Sequence, residues 1–299
     1  MGGRYHAGEL AVQERAGVRA MAARIANGIH RTVPERAADF LREQPFVLVG
    51  AEDAERRFVW ATLLSGPPGF ASVPSPDRVR LDASPRAGDP LEGALCPGRR
   101  LGVLAIDPAT RRRMRVNGTV LPSADGTLEI GTEEVYSNCP RFITRRAPGR
   151  MPAGAGHRAT RSGSALPPDL TDLILRADTF FLASAHPERG ADVSHRGGPP
   201  GFIRMTADGR LVVPDYRGNA MFNTLGNLAT DPRAGLLFLD FGTGLSLHLA
   251  ARGEIVWDAD RIAEVEDAER LVEFTVERWV AREGAAPAGW MDALPEGRG

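Results

Sequence analysis

Residues 192–198 read Asp192-Val193-Ser194-His195-Arg196-Gly197-Gly198, which sets a hydroxyl, an imidazole and a guanidinium side by side ahead of two glycines. Such a run can offer several donors to one phosphate while the glycines let the backbone approach closely. A second polar block, Pro214-Asp215-Tyr216-Arg217-Gly218-Asn219, follows the apolar run Leu211-Val212-Val213, and Asn223, Thr224, Asn227 and Asp231-Pro232-Arg233 come after it. Asn and Gly are common in turns, but this density of amide, hydroxyl and guanidinium groups exceeds what turns need. The chemistry it suits is anion recognition.

Every one of the 37 basic residues is arginine. Schiff-base chemistry and a phosphate-loop lysine are therefore excluded, and any anion site must use arginine, hydroxyls or backbone N–H. Cys96 and Cys139 are too few for a disulfide framework or a zinc site. Cys139 reads as a small buried hydrophobe or a redox thiol. The histidines lack metal-ligand spacing, and His248, flanked by Leu247 and Leu249, reads as structural. The run Arg111-Arg112-Arg113 is expected to be a solvated hairpin tip. A formal net charge of −1 gives no field that would recruit nucleic acid or an anionic membrane. No apolar run of signal or membrane-spanning length occurs, so the expectation is a cytoplasmic, reduced protein.

These residues need elements to hold them. At 299 residues the chain suggests two modules, and 42% hydrophobic content suits globular cores. One amphipathic helix is expected over 9–28 and a short one over 35–43, giving an N-terminal helical segment 1–45. Short β-type runs bounded by Gly, Pro and Asp follow from Phe46 and again from Thr179, a barrel or meander signature. Three block pairs suggest an internal repeat: Phe58-Val59-Trp60-Ala61 with Phe180-Phe181-Leu182-Ala183, Gly66-Pro67-Pro68-Gly69-Phe70 with Gly198-Pro199-Pro200-Gly201-Phe202, and Gly102 to Asp107 with Gly235 to Asp240. In this pairing residues 192–196 fall in an insertion that the first copy lacks. Residues 147–169 form a Pro/Gly-rich linker, with Asp169 capping a short helix, and the C-terminal part reads as a helix from Arg261 to Leu271, a strand over 272–277 and a tail over 286–299.

The second-copy blocks, together with Asn223-Thr224-Leu225-Gly226-Asn227-Leu228 and Asp231 to Phe238, resemble the pyridoxamine 5′-phosphate oxidase-like, FMN-binding split-barrel family. In the first copy Tyr136-Ser137-Asn138-Cys139-Pro140-Arg141-Phe142-Ile143 is similar to another signature of that group, and Tyr5-His6-Ala7-Gly8-Glu9 resembles its two-barrel members. The resemblance implies a mainly β chain: tandem six-stranded antiparallel split barrels forming an intrachain pseudo-dimer, the first (46–146) degenerate and the second (170–285) binding FMN. It implies Ser194, His195, Arg196, Tyr216, Arg217, Asn219, Asn223 and Thr224 as phosphate and ribityl contacts, with Asn138, Cys139 and Arg141 reaching toward the flavin ring from the opposing barrel. A flavin brings its own redox chemistry, so no catalytic residue is assigned.

The lysine near FMN and the C-terminal Trp…Arg signature of the oxidases are absent, so vitamin B6 oxidation does not carry over. The expectation is one FMN site per chain in a flavoprotein, an FMN-dependent oxidoreductase acting on a small-molecule substrate or an electron-transfer partner, with a homodimer compatible. A flavin-binding or sensing protein without turnover, a deazaflavin, or haem with His248 or His6 as axial ligand remain open at this stage.

Overall fold

A computed structural model of the chain describes residues 4–123, 127–137, 141–147 and 160–287. The chain opens with α1 (Ala7–Arg15) and α2 (Arg19–Ile25) rather than one helix over 9–28. Gly17, at φ +69°, takes the left-handed conformation that ends a helix at little steric cost. A third helix, α3 (Glu35–Glu43), starts after Pro34 and buries Ala38, Phe40 and Leu41.

The first sheet comprises β1 (Phe46–Glu52), β2 (Val59–Ser65), β3 (Ala71–Ser75), β4 (Arg78–Leu81), β5 (Arg100–Asp107), β6 (Arg112–Leu121) and β7 (Leu128–Ser137). Within the expected linker, residues 160–163 form a short strand, β8 (Thr160–Gly163), which pairs with the last strand of the chain. Then follow α4 (Pro168–Arg176), β9 (Thr179–His186), β10 (Gly190–Gly197), β11 (Arg204–Met205), β12 (Leu211–Tyr216), α5 (Asn223–Thr230), β13 (Arg233–Leu239), β14 (Ser246–Val256), α6 (Ala259–Ala263) and β15 (Ala268–Arg282). Asp169 lies in the first turn of α4, one residue inside its start, and accepts a 2.6 Å hydrogen bond from Arg161.

The strand orders are β2-β1-β5-β6-β7-β4-β3 and β10-β9-β13-β14-β15-β12-β11. Adding eight to every strand number of the first sheet generates the second, so the chain is two split barrels of one topology in tandem. This corrects the repeat alignment. Phe58 to Ala61 enters β2, whose counterpart is β10, whereas Phe180 to Ala183 lies in β9, the counterpart of β1. Both are apolar runs opened by an aromatic residue, and only the hydrogen-bonded ladder tells the two strands of a hairpin apart. Residues 192–196 are therefore no insertion. In register, Leu48 pairs with Leu63 as Phe181 pairs with His195, and Val49 pairs with Thr62 as Leu182 pairs with Ser194. The first copy keeps the strand and carries Thr62, Leu63 and Leu64 where the second carries Ser194, His195 and Arg196.

At the C-terminus the expected helix over 261–271 stops at Ala263, and β15 runs from Ala268 to Arg282, well beyond 272–277. Leu271, Val272 and Phe274 are claimed by pairing with both β12 and β14, and tertiary ladders override weak local preference.

Each barrel has its own apolar core, and a third cluster joins them through Phe46, Leu48, Leu104 and Ile106 from one side and Phe181, Val193, Leu237 and Leu239 from the other. The contact is symmetric in detail. A Cβ added to Gly102 on β5 would lie 2.6 Å from the Asp192 Cα on β10, and one added to Gly235 on β13 would lie 2.6 Å from the Trp60 Cα on β2. Gly102 and Gly235 are counterparts, as are Trp60 and Asp192. Among the described residues no helix is long and apolar enough to cross a membrane.

A side chain at either glycine must push the two backbones apart. Gly102→Val or Gly235→Val is expected to lower stability by about 1–3 kcal/mol or more, read as an earlier urea midpoint. An unchanged midpoint in both would show that the barrels do not meet there.

Candidate functional site

A cavity of about 390 Å³ opens between the barrels. From the second barrel come Ser194, His195 and Arg196 on β10, Asp215 and Tyr216 at the end of β12, Arg217 and Asn219 in the following loop, and Asn223 and Thr224 at the start of α5. From the first come Arg113 and Arg115 on β6, and Arg141 and Phe142 after β7. The structure thus gathers all the expected contact residues except Asn138 and Cys139, which lie outside the described residues.

Local geometry explains the gathering. The β12–β15 ladder shifts register between Asp215 and Tyr216, and Ala220 and Phe222 have φ of 58° and 61°, so the chain turns sharply before α5. The first turn of α5 then faces the cavity with backbone N–H groups that lack intrahelical partners, which favours an anion there. Ser194 Oγ donates to the Leu182 carbonyl and lies 3.2 Å from Thr224 Oγ1, tying β10 to α5. Asp215 holds Arg196 at 2.8 Å and Arg270 at 3.0 Å, fixing the Arg196 guanidinium on the cavity wall. Gly197 is needed because a Cβ there would sit 2.1 Å from the Phe142 carbonyl oxygen. Its lack of a side chain serves the fit of the first barrel.

His195 is buried and flanked by guanidinium groups. Burial and the charge of Arg113 hold its imidazole well below the ordinary value, so it is neutral. Arg113 Nη1 lies 3.3 Å from His195 Nδ1 and, being a permanent donor, makes Nδ1 the acceptor. The ring proton is therefore on Nε2, which is buried and has no partner among the described residues. A buried donor without an acceptor is costly and marks a place for a ligand oxygen. His195 is thus a neutral donor.

Sequence reasoning missed Arg113, Arg115, Asp215 and Phe142. The Arg111-Arg112-Arg113 run, read as a solvated tip, is divided by the fold. Arg111 takes the turn at φ 57°, Arg112 lies over the Phe40 ring at 4.6 Å, and Arg113 reaches the cavity. Alternation of Arg113, Met114 and Arg115 was the available signal for a strand presenting both arginines. Phe142 stacks on Tyr216 with ring centroids 5.0 Å apart and is 45% exposed at the cavity.

Behind the cavity wall lies a buried polar ring. Asn223 donates to Glu9 Oε1 at 2.7 Å, and the His6 backbone N–H donates to Glu9 Oε2 at 2.8 Å. His6 Nε2 contacts Asn227 Oδ1 at 3.0 Å, Asn227 donates to Ser184, Ser184 to Asp192, and Arg115 to Asp192 at 3.0 Å. Both ends, Asn223 and Arg115, line the cavity. The opening Tyr5-His6-Ala7-Gly8-Glu9 segment is therefore part of the cavity's support. Burial pushes the Glu9 carboxyl up to about 8 and the His6 imidazole down to about 4, and it raises Asp192 despite the nearby Arg115. Among the described residues no group of three or more His, Cys, Asp or Glu is placed to hold a metal ion.

Glu9 is raised from 4.5, so its contribution to docking α1 is full below that value and is lost as pH rises through about 8. His6 is lowered from 6.5, so its contribution is full above that value and is lost as pH falls through about 4. Amide exchange over 7–15, corrected for intrinsic rate, should therefore accelerate several-fold between roughly pH 6 and 9. Glu9→Gln, which keeps the acceptor for Asn223, should flatten that alkaline limb. An identical pH profile in the variant would place the titration elsewhere.

The family profile described as Pyridoxamine 5′-phosphate oxidase matches residues 166–285. Similar solved structures include HupZ from Group A Streptococcus (14% identity, 42% of this chain and 100% of that one, TM-score 0.34). Another is a FAD-binding protein, mll6688, from Mesorhizobium loti (16% identity, 42% and 96%, TM-score 0.32). A third is HutZ, the haem storage protein from Vibrio cholerae (12% identity, 40% and 95%, TM-score 0.29). No curated protein sequence matches the chain significantly.

Proposed function

We propose that the chain, whose residues 166–285 match the pyridoxamine 5′-phosphate oxidase profile, is an FMN-binding flavoprotein that uses the cavity between its barrels, and that it acts as a flavin-dependent oxidoreductase on a small molecule or with a partner reductase. In this reading the functional units are the barrels over 46–146 and 170–285. The observation that carries it is the buried, partnerless His195 Nε2–H, set among Ser194, Arg196, Thr224 and the first turn of α5. His195 Nε2–H has no acceptor among the described residues, and Arg196 and the first turn of α5 stand beside it, which suits a phosphate dianion.

The residues fit such a group. Arg196 and Arg217 supply charge, Ser194, Thr224 and His195 Nε2 supply neutral donors, and Asn219 and Asn223 would face the ribityl hydroxyls. Charge-assisted bonds of this kind contribute on the order of 1.5–3 kcal/mol each. From the opposite wall Arg113 and Arg141 add positive potential, while Arg115 is paired with Asp192, and the Phe142–Tyr216 stack narrows access. Bound flavin supplies hydride and single-electron chemistry of its own. The protein's part would be to hold it through these residues and to balance its negative charge.

Haem finds less support. Both ring nitrogens of His248 are engaged, Nδ1 with the Ala61 carbonyl at 2.8 Å and Nε2 with Ser246 at 3.0 Å, and His6 is not among the residues that line the cavity.

Purified protein should be yellow and quench FMN fluorescence at one equivalent per chain. Arg196→Ala and Arg217→Ala should each weaken affinity more than tenfold, about 1.4 kcal/mol. A colourless protein that leaves FMN fluorescence untouched, or unaltered affinity in both variants, overturns the assignment. Anaerobic reduction by NAD(P)H faster than that of free FMN would separate an enzyme from a flavin-binding protein without turnover.

A further inference from the structure

The duplication that builds the first cavity builds a second. It measures about 270 Å³ and is lined by Leu63 and Leu64 on β2, by residues of the loop 82–89 after β4, and by Arg282 to Ala285 at the end of β15. These strands are the counterparts of β10, β12 and β7, so the second cavity lies at the equivalent place with the roles of the barrels exchanged.

Its chemistry is different. Leu63 and Leu64 stand where His195 and Arg196 stand in the other cavity, which removes the imidazole and guanidinium donors. The guanidinium of Arg282 is buried, its side chain 7% exposed, and it donates from Nη1 to Asp89 Oδ2 at 2.8 Å. That charge is thereby neutralised, and Asp89 also accepts from Thr62 and from the Leu91 backbone N–H. Arg282 Nε, by contrast, is buried without a hydrogen-bond partner among the described residues. Asp82 and Glu283 are exposed on the rim with Arg86, so the mouth gives an approaching phosphate no net attraction. What remains is a wall of Leu63, Leu64, Ala83, Ala87 and Ala285 interrupted by the neutral hydroxyls of Ser65 and Ser84, with Arg282 Nε as the unsatisfied donor. A site of that kind suits an uncharged body carrying a carbonyl acceptor, because a buried anion would meet no uncompensated cation.

We propose that this second cavity binds one neutral, phosphate-free heteroaromatic carbonyl compound, whose ring oxygen accepts from Arg282 Nε. The choice of a ring ligand rests on the flavin reading of the first cavity; the neutrality rests on the second cavity's own residues.

The test uses the full chain saturated with FMN and titrated by equilibrium dialysis with lumichrome and riboflavin. FMN should stop at one equivalent per chain, and at least one neutral probe should add a second. Ala87→Trp, a change at the exposed rim, should weaken that second equivalent more than tenfold and leave FMN affinity unchanged. Arg196→Ala should do the reverse.

The proposal is overturned if neither probe adds an equivalent up to about 1 mM, a limit near −4 kcal/mol. It is equally overturned if FMN fills both cavities, or if the added equivalent survives both Ala87→Trp and Ala83→Trp. Should FMN fail to bind at all while one neutral equivalent binds and is lost in Ala87→Trp, the first-cavity reading falls and this one stands.

Discussion

Two barrels of identical topology meet back to back, and the distance between them is set where β5 crosses β10 and β13 crosses β2. At both crossings a glycine lies against the backbone of the other barrel, Gly102 on Asp192 and Gly235 on Trp60. Such contact leaves no room for any side chain, and interiors packed at crystal-like density do not yield by an ångström cheaply. Both cavities lie between the barrels, so their widths follow from this contact. It also brings β6 of the first barrel near enough to β10 for Arg113 to touch His195 and Arg115 to pair with Asp192.

Within that frame the pseudo-symmetry is broken by a few side chains. The second barrel keeps a hydroxyl, an imidazole and a guanidinium on the strand facing one cavity, and the first carries Thr62, Leu63 and Leu64 on its counterpart. Compensation differs too. In the first cavity Asp215 pairs with Arg196 and Arg270, Arg270 pairs also with Glu269, and Arg113, Arg141 and Arg217 line the same wall. In the second, Arg282 and Asp89 pair one to one. Arginines outnumber carboxylates on the wall of the first cavity and not on that of the second, so the two cavities of the duplicated fold differ in chemistry.

The N-terminal helix is a structural part of the first site. Glu9 and Gln13 are buried against the segment that leads into α5, Glu9 through Asn223 and Gln13 through the Met221 carbonyl. A Cβ on Gly226 would lie 2.6 Å from the Glu9 backbone, so α1 and α5 pack almost without spacing. The turn that aims Asn223 and Thr224 into the cavity is thus braced from behind by residues more than two hundred positions away in sequence.

Local chemistry made part of this legible in the chain. The α3 helix, the apolar strand runs and the two polar blocks around Ser194-His195-Arg196 and Arg217 to Asn219 follow from period, turn residues and donor density, each readable within a few residues, and the family resemblance supplied the barrel and joined the blocks into one site. Tertiary contact decided the rest. Strand pairing, which depends on partners far along the chain, assigned Phe180 to β9 instead of the counterpart of β2 and turned the end of the expected helix over 261–271 into the start of β15. Burial beside arginines, invisible in a sequence, made His195 neutral and left its Nε2 without an acceptor. The packing of one barrel on the other drew Arg113, Arg115 and Phe142 from an apparent surface hairpin and its neighbourhood into the cavity wall.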